Sequence, residues 1–539
     1  VDVFARGQRV HAALGAAAGA LAFALLAGGA PSAWRAALLM AAGLGLRALR
    51  RQPRAGPLLA GAALVFAWAS PDAVPGPAFL LSLVATAALL GIPPGLGPLR
   101  TAFEASARTL VATAPLVVWI FGGVPLLGLV ANVAVVPVAV ALLVPLAFGH
   151  LVLASVGAGG LSAGAFESLT AALVAVAELF AGPGLGLALP PPDGVQGVLL
   201  SLLCLVLLLA RGRRRVGLAL VLIAGLGCAE ARLRGREQPE ALRVTFLDVG
   251  QGDAALVDLP SGALVLVDAG PDAAGPEVLA PLLRARRRSH VDLAIVSHAH
   301  PDHIGGLAGL GVPIHELWLP GQALAESPEG DLSQRVEALR AAGTRVREAR
   351  VLCGRHVRAG ARFEVLWPCP AWDAGYDLND NSLVVRMTVP GEPSVLFAGD
   401  VEALAEAELV AQHATGALTL RADVLKVPHH GSRTSSGHAF LEAVRPHAAV
   451  ASQGRFHRFG HPHGEVRARY EALGVPLFLT ARDGGVTLWD HRLHATTDAR
   501  RAEVIVPPRP RSALSGSRRS AARRPRRPAR GTSSRRSPP

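Results

Sequence analysis

Two patterns of hydrophobic residues divide the chain near residue 236. Up to that point, runs of Ala, Leu, Val and Gly follow one another with few polar residues between them. Because a helix needs about 20 apolar residues to cross a bilayer, the pattern predicts a polytopic α-helical membrane domain over 1–236. Prolines break several runs, so some are re-entrant or half-helices rather than full spans. The candidate spans are 11–30, 33–46, 56–70, 77–92, 109–122, 126–150, 161–181, 195–210 and 216–230.

Beyond Leu242 the apolar residues come in short runs that favour strands, with helical stretches between them. Polar clusters follow the ends of several runs, which suits a layered α/β sandwich with a site on one sheet edge. We expect this domain over 240–506. The predicted strands are 243–249, 254–259, 263–268, 291–297, 382–389, 394–398, 422–427, 448–452, 476–480 and 485–489. The predicted helices are 277–288, 331–342, 402–412, 438–444 and 464–473.

The net charge of +13 is unevenly distributed. Residues 1–239 hold 16 arginines and 8 acidic residues, and 240–506 hold 26 basic and 32 acidic residues. The tail, 507–539, holds 11 arginines and no acidic residue, and it is too poor in apolar residues to order itself. We predict that this Arg-rich tail is disordered. It is suited to contact anionic lipid or nucleic acid, although a merely solvated tail fits equally well.

Basic clusters bear on the orientation in the membrane. Arginines gather at 47–54 and 211–215, and by the positive-inside tendency both clusters are cytoplasmic. A last span at 216–230 then places the soluble domain on the external, periplasmic face of an inner membrane. The arginines within 232–236 oppose this orientation, because they follow that span.

Two rare residue types add little. Lys426 is the only lysine beside 52 arginines, a bias that we interpret as codon usage. Cys353 and Cys369 lie in the soluble part without metal-type spacing. A disulfide between them is open if that part faces an oxidising compartment.

The densest cluster of candidate metal ligands follows the apolar run 291–297. The segment His-Ala-His-Pro-Asp-His supplies His298, His300, Asp302 and His303 within six residues. Imidazole nitrogen and carboxylate oxygen are ligands for divalent transition metals, and a loop at a strand end can fold them around ions. The cluster therefore predicts a metal centre.

Three further polar clusters also adjoin predicted strands. Asp400 ends the run 394–400, the run 424–432 ends in His429, His430, Gly431 and Ser432, and Asn379 to Ser382 precede another strand. Each alone is a weak signal. Together with the first loop they predict a site for two divalent ions, which can clamp the attacking and leaving oxygens of a phosphoryl transfer.

The soluble part resembles the metallo-β-lactamase superfamily, whose fold is a four-layer αββα sandwich. Its closest likeness is to the soluble domain of the DNA-internalisation competence channels, the ComEC family, and the apolar region resembles that family's competence domain. This resemblance covers about 28–500. The segments that carry it are 248–253, 268–270, 429–432, 28–36, 79–85 and 132–137. The first half of the family's membrane domain and its small β-barrel domain have no counterpart, so we expect the chain to begin internally.

The resemblance implies roles residue by residue. His298 and His300 would hold a first ion, Asp302 and His303 a second, and Asp400 would bridge them. His429 or His430 would complete the second ion, and the sequence does not choose between them; we take His429 as the ligand. The catalytic residues would be Asp302 and Asp400, and the cofactors two divalent ions, Mn or Zn. The expected substrate-binding residues are Asp253, Asp380, Asn381, Ser382, His430, Ser432 and His461, with His463 as a further phosphate contact.

The functional expectation is a membrane channel component for transforming DNA that carries a metal-dependent nuclease. Single-stranded DNA would pass through the membrane domain, and duplex DNA would meet the nuclease site, which degrades the other strand. The expected partners are DNA, the lipid bilayer, other competence proteins and a possible second copy of the chain. The alternatives are a membrane-anchored metallohydrolase for a small phosphoester or lactam, without transport, and a non-catalytic remnant.

Overall fold

The structure is a computed structural model that describes residues 2–26, 28, 30–49, 51–181, 186–236, 240–455, 459–497 and 504–506. It comprises a helical region that ends at Arg236 and a sheet-rich region that begins at Arg243. The tail predicted to be disordered, 507–539, lies outside the described residues.

The helical region is built from apolar helices with short connections. Pro137 lies inside one of them and has no N–H to donate, and a π-helical turn at Ala139–Leu143 follows it. The helices are α1 (Asp2–Leu26), α2 (Pro31–Ala48), α3 (Ala55–Ala69), α4 (Pro77–Leu89), α5 (Pro98–Phe121), α6 (Gly128–Val138), α7 (Val144–Ser155), α8 (Gly160–Ala181), α9 (Gly194–Leu209) and α10 (Gly212–Arg236). Two short strands, β1 (Gly123–Val124) and β2 (Leu187–Ala188), pair antiparallel between them.

Among the described residues, four helical segments are long and apolar enough to cross a membrane: Pro98–Phe121, Gly128–Ser155, Gly160–Phe180 and Gly212–Gly235. Four other apolar helices have 10–17 residues, and large apolar side chains such as Trp68 and Val198 are exposed on them. The nine candidate spans of the sequence therefore include segments shorter than a full crossing. A multi-pass membrane protein is confirmed at this level.

The sheet-rich region contains two mixed sheets that face each other. The nine-stranded sheet has the order β18-β17-β16-β3-β4-β5-β6-β7-β8, and the seven-stranded sheet has the order β15-β14-β13-β12-β11-β10-β9. The strands are β3 (Arg243–Phe246), β4 (Ala254–Asp258), β5 (Leu264–Ala269), β6 (Val291–Ile295), β7 (Ile314–Leu319), β8 (Arg345–Glu348), β9 (Gly354–Arg358), β10 (Ala361–Trp367), β11 (Val384–Thr388), β12 (Val395–Phe397), β13 (Val424–Lys426), β14 (Ala448–Ala451), β15 (Leu477–Leu479), β16 (Val486–Trp489), β17 (Arg492–Ala495) and β18 (Val504–Ile505).

Side chains alternate between the two faces of each strand, so each sheet has an inner and an outer apolar face. The two sheets and the helices on their outer faces form four layers. One face of each sheet contributes to a shared core, in which Phe246 and Phe397 of opposite sheets lie 6.1 Å apart between ring centroids. The other faces are covered by helices: Leu283 packs on the nine-stranded sheet, and Leu409 and Phe440 pack on the seven-stranded sheet. The expected αββα sandwich is confirmed. Its helices are α11 (Ala280–Ala285), α12 (Pro301–Ile304), α13 (Gln322–Glu326), α14 (Asp331–Ala341), α15 (Ala349–Leu352), α16 (Ala403–Ala414), α17 (His438–Val444), α18 (Gly464–Ala472) and α19 (Thr480–Asp483).

The strands of the two sheets that the sequence missed lie at sheet edges, and β17 and β18 form the opposite edge of the nine-stranded sheet from β7 and β8. β7 and β8 extend the parallel part of one sheet, and β9 and β10 form a hairpin at the edge of the other. Cys353 and Cys369, which flank this hairpin, form a disulfide with Cα atoms 5.6 Å apart. The disulfide that the sequence left open is therefore present.

The two regions touch at Arg287. Its Nε lies 3.0 Å from Oε2 of Glu230 in α10, and its side chain is 6% exposed. The same guanidinium donates to Oε1 of Gln196 in α9 at 3.2 Å and to the carbonyl of Pro191 at 3.4 Å. One buried arginine thus joins the sandwich to the ends of two apolar helices.

Candidate metal centre

Four strand ends converge at one edge of the sandwich. β5 and β6 run parallel in one sheet, and β12 and β13 run parallel in the other. The residues that follow or end these strands are Asp268, the segment 298–303, Asp400, His429 and His430. Parallel strands bring their carboxyl ends to the same side, so residues distant in sequence meet there.

The first loop turns directly after β6 and begins the short helix α12 after His300. His298 is buried, and its Nε2 lies 2.9 Å from Nδ1 of His300. His303 is fully buried, and its Nε2 lies 3.3 Å from Oδ2 of Asp400. Asp302 remains 32% exposed beside them. The loop therefore brings its predicted ligands together, with one carboxylate open to solvent.

Asp400 lies at the centre of the cluster, and four imidazoles surround its buried carboxylate. The distances from Oδ2 are 3.3 Å to Nε2 of His303, 3.4 Å to Nε2 of His430, 3.9 Å to Nε2 of His429 and 4.0 Å to Nε2 of His298. Two ligand atoms bound tetrahedrally to one zinc ion at about 2.0–2.1 Å would lie about 3.3 Å apart. The shorter pairs already have that spacing.

A glycine allows Asp400 to reach this position. Gly399 has a φ of +55°, and a Cβ there would lie 2.6 Å from Cβ of Ser382 and 2.8 Å from Cβ of Ser297. Neither contact is tolerable, so the two loops can close only on a glycine. The backbone N–H of Asp400 then donates to Oγ of Ser382 at 3.1 Å.

The paired imidazoles come from a strained turn. His429 and His430 both have positive φ, at 48° and 53°, in a left-handed conformation that non-glycine residues rarely adopt. His430 points inward, where its Nε2 lies 3.4 Å from Oδ2 of Asp302 and its Nδ1 lies 3.0 Å from the carbonyl of Ser452. His429 points outward, is 22% exposed and pairs through Nδ1 with Glu402 at 2.8 Å. Successive histidines thus face two different sides of Asp400.

Protons on imidazoles balance the charge of the cluster. Burial alone would raise the pKa of Asp400, but His303 and His430 lower it well below its usual value. Burial would lower the pKa of His303, yet Asp400 and Asp268 raise it well above its ordinary range. Burial would also lower the pKa of His430, but the surrounding carboxylates, above all that of Asp400, raise this pKa to about 10. Burial lowers the pKa of His298, which stays neutral. The centre therefore favours added positive charge.

Residues that were not predicted to belong to the site hold these ligands in place through hydrogen bonds and ion pairs. Asp268 accepts the N–H of Ser297 at 2.7 Å and lies 3.1 Å from Nδ1 of His303. Lys426 is buried, and its Nζ lies 2.6 Å from Oδ2 of Asp253. The interpretation of the arginine bias as codon usage stays a prediction. The lone lysine itself pairs with a buried carboxylate. Its rarity was the signal, but its partner lies 173 residues earlier in the chain.

The predicted substrate-binding residues occupy different places. Asp253 is buried 3.2 Å from Nδ1 of His430. Asp380 accepts the N–H of Glu402 at 2.7 Å, and Asn381 donates to the carbonyls of its own loop. Ser432 lies 2.8 Å from the hydroxyl of Thr434.

His461 lies beside the cluster, and its own side chain is partly exposed there. Its ring centroid is 5.8 Å from that of His429, 6.2 Å from that of His430 and 5.0 Å from that of His463. Of the predicted substrate contacts, this imidazole pair therefore borders both the ligands and the open side.

The donor set fits divalent metal ions. Oδ1 of Asp400 and Nε2 of His303 and of His430 are buried atoms without a hydrogen-bond partner, an arrangement that is costly unless another group satisfies them. Three-donor groups with all ligand atoms within 4.8 Å of one another share these residues. The groups are His298, His303 and Asp400; Asp302, His303 and His430; and Asp253, Asp400 and His430. Because the groups overlap at Asp400 and His303, the centre can hold neighbouring ions that share ligands.

Two family models match the chain. The model described as "Competence protein" matches residues 3–214, and the model described as "Metallo-beta-lactamase superfamily" matches residues 247–455. They divide the chain as the helical region and the sandwich do.

Curated relatives match the same way. The chain is 31% identical over 482 residues to competence protein ComA of Neisseria gonorrhoeae, across 87% of this chain and 63% of that protein. It is 30% identical over 261 residues to ComE operon protein 3 of Bacillus subtilis strain 168, across 45% of this chain and 32% of that protein. It is also 30% identical over 258 residues to the uncharacterized protein YcaI of Escherichia coli K12, across 47% of this chain and 30% of that protein. The chain thus spans between 30% and 63% of these relatives' lengths.

Proposed function

On the premise that the chain belongs to the ComEC family of competence proteins, we propose that it acts in the uptake of transforming DNA and that its sandwich is a metal-dependent nuclease. The nuclease would degrade the strand that is not transported. The observation that carries the proposal is Asp400, a buried carboxylate ringed by four imidazoles in a sandwich that is joined to apolar helices.

Two divalent ions would fit this centre. His298 and His300 would hold one ion, Asp302 and His303 would hold the other, and Asp400 would lie between them. His430 supports the second position better than His429, because its Nε2 lies 3.4 Å from both Asp302 and Asp400. Bound there, the ions would supply Lewis acidity and a nucleophile of lowered pKa. Manganese suits the site in our proposal, because only two imidazoles belong to the first position.

The chain's own residues then orient the ligands and the substrate. The Lys426–Asp253 pair holds Nδ1 of His430 in place, as Asp268 holds Nδ1 of His303. Such outer contacts fix the tautomer and the direction of a metal-binding imidazole. His461, with His463 behind it, stands at the open side and would donate a hydrogen bond to a substrate phosphate.

The helical region would conduct a single DNA strand through the inner membrane. The four long apolar segments and the shorter helices together exceed what an anchor needs. Short or broken helices are tolerated at membrane depth where they line a cavity. Other competence proteins, and a second copy of this chain, are the partners that such a channel would recruit.

We place the sandwich outside the cytoplasmic membrane. The Cys353–Cys369 disulfide is of the kind that persists in oxidising compartments, and the arginines of 211–215 favour a cytoplasmic start for α10. A reporter fused after Val506 tests this. Alkaline phosphatase activity supports external placement, whereas fluorescence from a cytoplasm-only reporter contradicts it.

The reaction is tested with the full chain in lipid nanodiscs. Linear duplex DNA should be degraded in the presence of Mn²⁺, more slowly with Zn²⁺, and not with the Asp400→Ala variant. A chromogenic β-lactam and a small phosphodiester serve as competing substrates. Ready hydrolysis of either of them, with DNA left intact, would replace the nuclease by a metallohydrolase of small molecules.

A further inference from the structure

A second group of metal-type ligands lies at the opposite end of the nine-stranded sheet from the catalytic cluster. His290 directly precedes β6, Asp292 is the second residue of β6, and His315 is the second residue of the neighbouring parallel strand β7. The catalytic loop follows the other end of β6. At about 3.3 Å per residue along a strand, the two groups are on the order of 20 Å apart. They share no residue.

The three side chains converge on one carboxylate oxygen. Oδ1 of Asp292 lies 3.3 Å from Nε2 of His290 and 3.9 Å from Nδ1 of His315. The two imidazoles stack with centroids 4.4 Å apart, and all three ligand atoms lie within 4.8 Å of one another. Ligands of a tetrahedral zinc ion lie about 3.3 Å apart. One pair already has this spacing, and the Asp292–His315 pair exceeds it by about 0.6 Å.

One further polar atom on each of two of these ligands is already engaged. Oδ2 of Asp292 accepts the N–H of Leu264 in β5 at 2.8 Å, which leaves Oδ1 facing the imidazoles. Nδ1 of His290 lies 3.2 Å from Oγ of Ser289, which leaves Nε2 facing Asp292. Contacts of this kind orient the ligands of metal sites and fix their tautomer. Two of the three ligands therefore need no rearrangement to bind an ion.

The scaffold and the exposure of the group suit a reversible site. Its ligands lie on adjacent strands in the parallel part of the sheet, where the backbone is held on both sides by β5 and β7. The side chains of His290, Asp292 and His315 are 40%, 36% and 54% exposed. An ion can therefore enter from solvent, and water can complete a fourth position beside three protein ligands.

We propose that His290, Asp292 and His315 bind one zinc ion or a similar divalent transition-metal ion, separately from the catalytic centre. Two imidazoles and one carboxylate favour zinc, copper or nickel over magnesium and calcium, which prefer all-oxygen sites. The bound ion links the first residues of β6 and β7. Arg287, which joins the sandwich to the helical region, lies three residues before His290, so the ion braces the sheet next to that contact.

The proposal is tested by counting zinc on the full chain in lipid nanodiscs. Wild type and a His290→Ala/His315→Ala variant are dialysed against zinc at a fixed free concentration, and bound zinc is measured by mass spectrometry. The variant should bind one ion fewer than wild type. A His438→Ala/His494→Ala variant removes two exposed imidazoles elsewhere on the sandwich and should bind as many ions as wild type.

A milder variant separates ligand loss from damage to the fold. Asp292→Asn keeps an oxygen that can accept the N–H of Leu264, so it should unfold like wild type without zinc while binding the extra ion at least tenfold more weakly. The proposal is overturned if the His290→Ala/His315→Ala variant keeps the wild-type number of ions. It is equally overturned if the control variant also loses one, since binding would then be a property of any exposed histidine pair. Neither outcome depends on DNA cleavage.

Discussion

The helical region and the sandwich differ in where their apolar and charged side chains lie. In the helices, large apolar residues such as Trp68 and Leu161 are 87% and 83% exposed. In the sandwich, apolar residues fill the interior, and charged residues such as Asp400, Asp253 and Lys426 are buried at one edge. Exposed apolar surface of this extent requires a nonaqueous neighbour, and a buried charge requires a partner. The first indicates lipid, and the second marks the chemistry.

At the contact between the two regions, charged side chains lie beside an apolar helix. Glu230, near the end of the apolar helix α10, pairs with Arg287 of the sandwich, and their side chains are 25% and 6% exposed. Substitutions at four places test this difference between the two regions, and each has a matched control substitution in the same chain.

The largest effect is expected at the centre of the buried cluster. Removal of an outer partner of a metal ligand costs about 10–100-fold in activity or affinity, so Asp400→Asn should lower the rate of DNA cleavage by more than about 100-fold. Asp268→Asn, which disturbs His303 only from behind, should fall in the 10–100-fold range. Initial rates in Mn²⁺ give both values. Asp490→Asn, an exposed substitution, should change nothing, and equal rates for all three variants would refute the assigned centre.

The next effect concerns the stability of the sandwich. Lys426→Met leaves the carboxylate of Asp253 buried with one cationic partner fewer, which should cost about 3–5 kcal/mol of unfolding free energy. Arg355→Met is the control, because Glu364 keeps Arg386 at 2.7 Å and Arg355 itself is 67% exposed; its cost should be about 0–1 kcal/mol. Denaturant midpoints of the full chain measure the difference. Similar midpoints would show that burial of the lysine is unimportant.

A charge placed on exposed valine distinguishes lipid from water. Val221 in α10 is 68% exposed and Val357 in β9 is 65% exposed. An aspartate near the centre of a membrane helix costs about 2.5–3.5 kcal/mol of insertion free energy, whereas surface substitutions in water stay within about 0.5 kcal/mol. Val221→Asp should therefore lower the fraction of chain recovered in membranes, and Val357→Asp should not. Equal recovery would mean that α10 does not face lipid.

The smallest effect is expected at the contact between the regions. A double-mutant cycle with Arg287→Ala and Glu230→Ala should give a coupling of about 1 kcal/mol, because the pair is shielded and shares hydrogen bonds with Gln196. The cycle with Arg234→Ala instead of Arg287→Ala should give about 0.3–0.5 kcal/mol, as for other exposed pairs one helical turn apart. A larger coupling free energy for Arg234 than for Arg287 would mean that the two regions do not touch at Glu230.

The sequence was sufficient to find candidate metal ligands that lie close together along the chain. The loop from His298 to His303 carries four candidate ligands within six residues, and the structure brings them close to Asp400. Strands were found wherever apolar residues form uninterrupted runs. β9 was missed because its sequence, Gly-Arg-His-Val-Arg at a sheet edge, has one large apolar residue, and nothing in that pattern separates it from a loop.

Non-local contacts could not be predicted. The pairing of Lys426 with Asp253 depends on two sheets meeting, and the choice between His429 and His430 depends on positive φ at both residues. Nine spans were expected because hydropathy measures apolar length but not where a helix begins and ends; α3, for example, has 15 residues.

The central claim is that Asp400 lies between two divalent ions. Anomalous scattering at the manganese edge, from crystals of the full chain grown with Mn²⁺, locates the ions directly. We predict two peaks about 3.5–4 Å apart on either side of Asp400, one beside His298 and His300 and the other beside Asp302, His303 and His430. A folded chain with no peak at Asp400 would contradict the account.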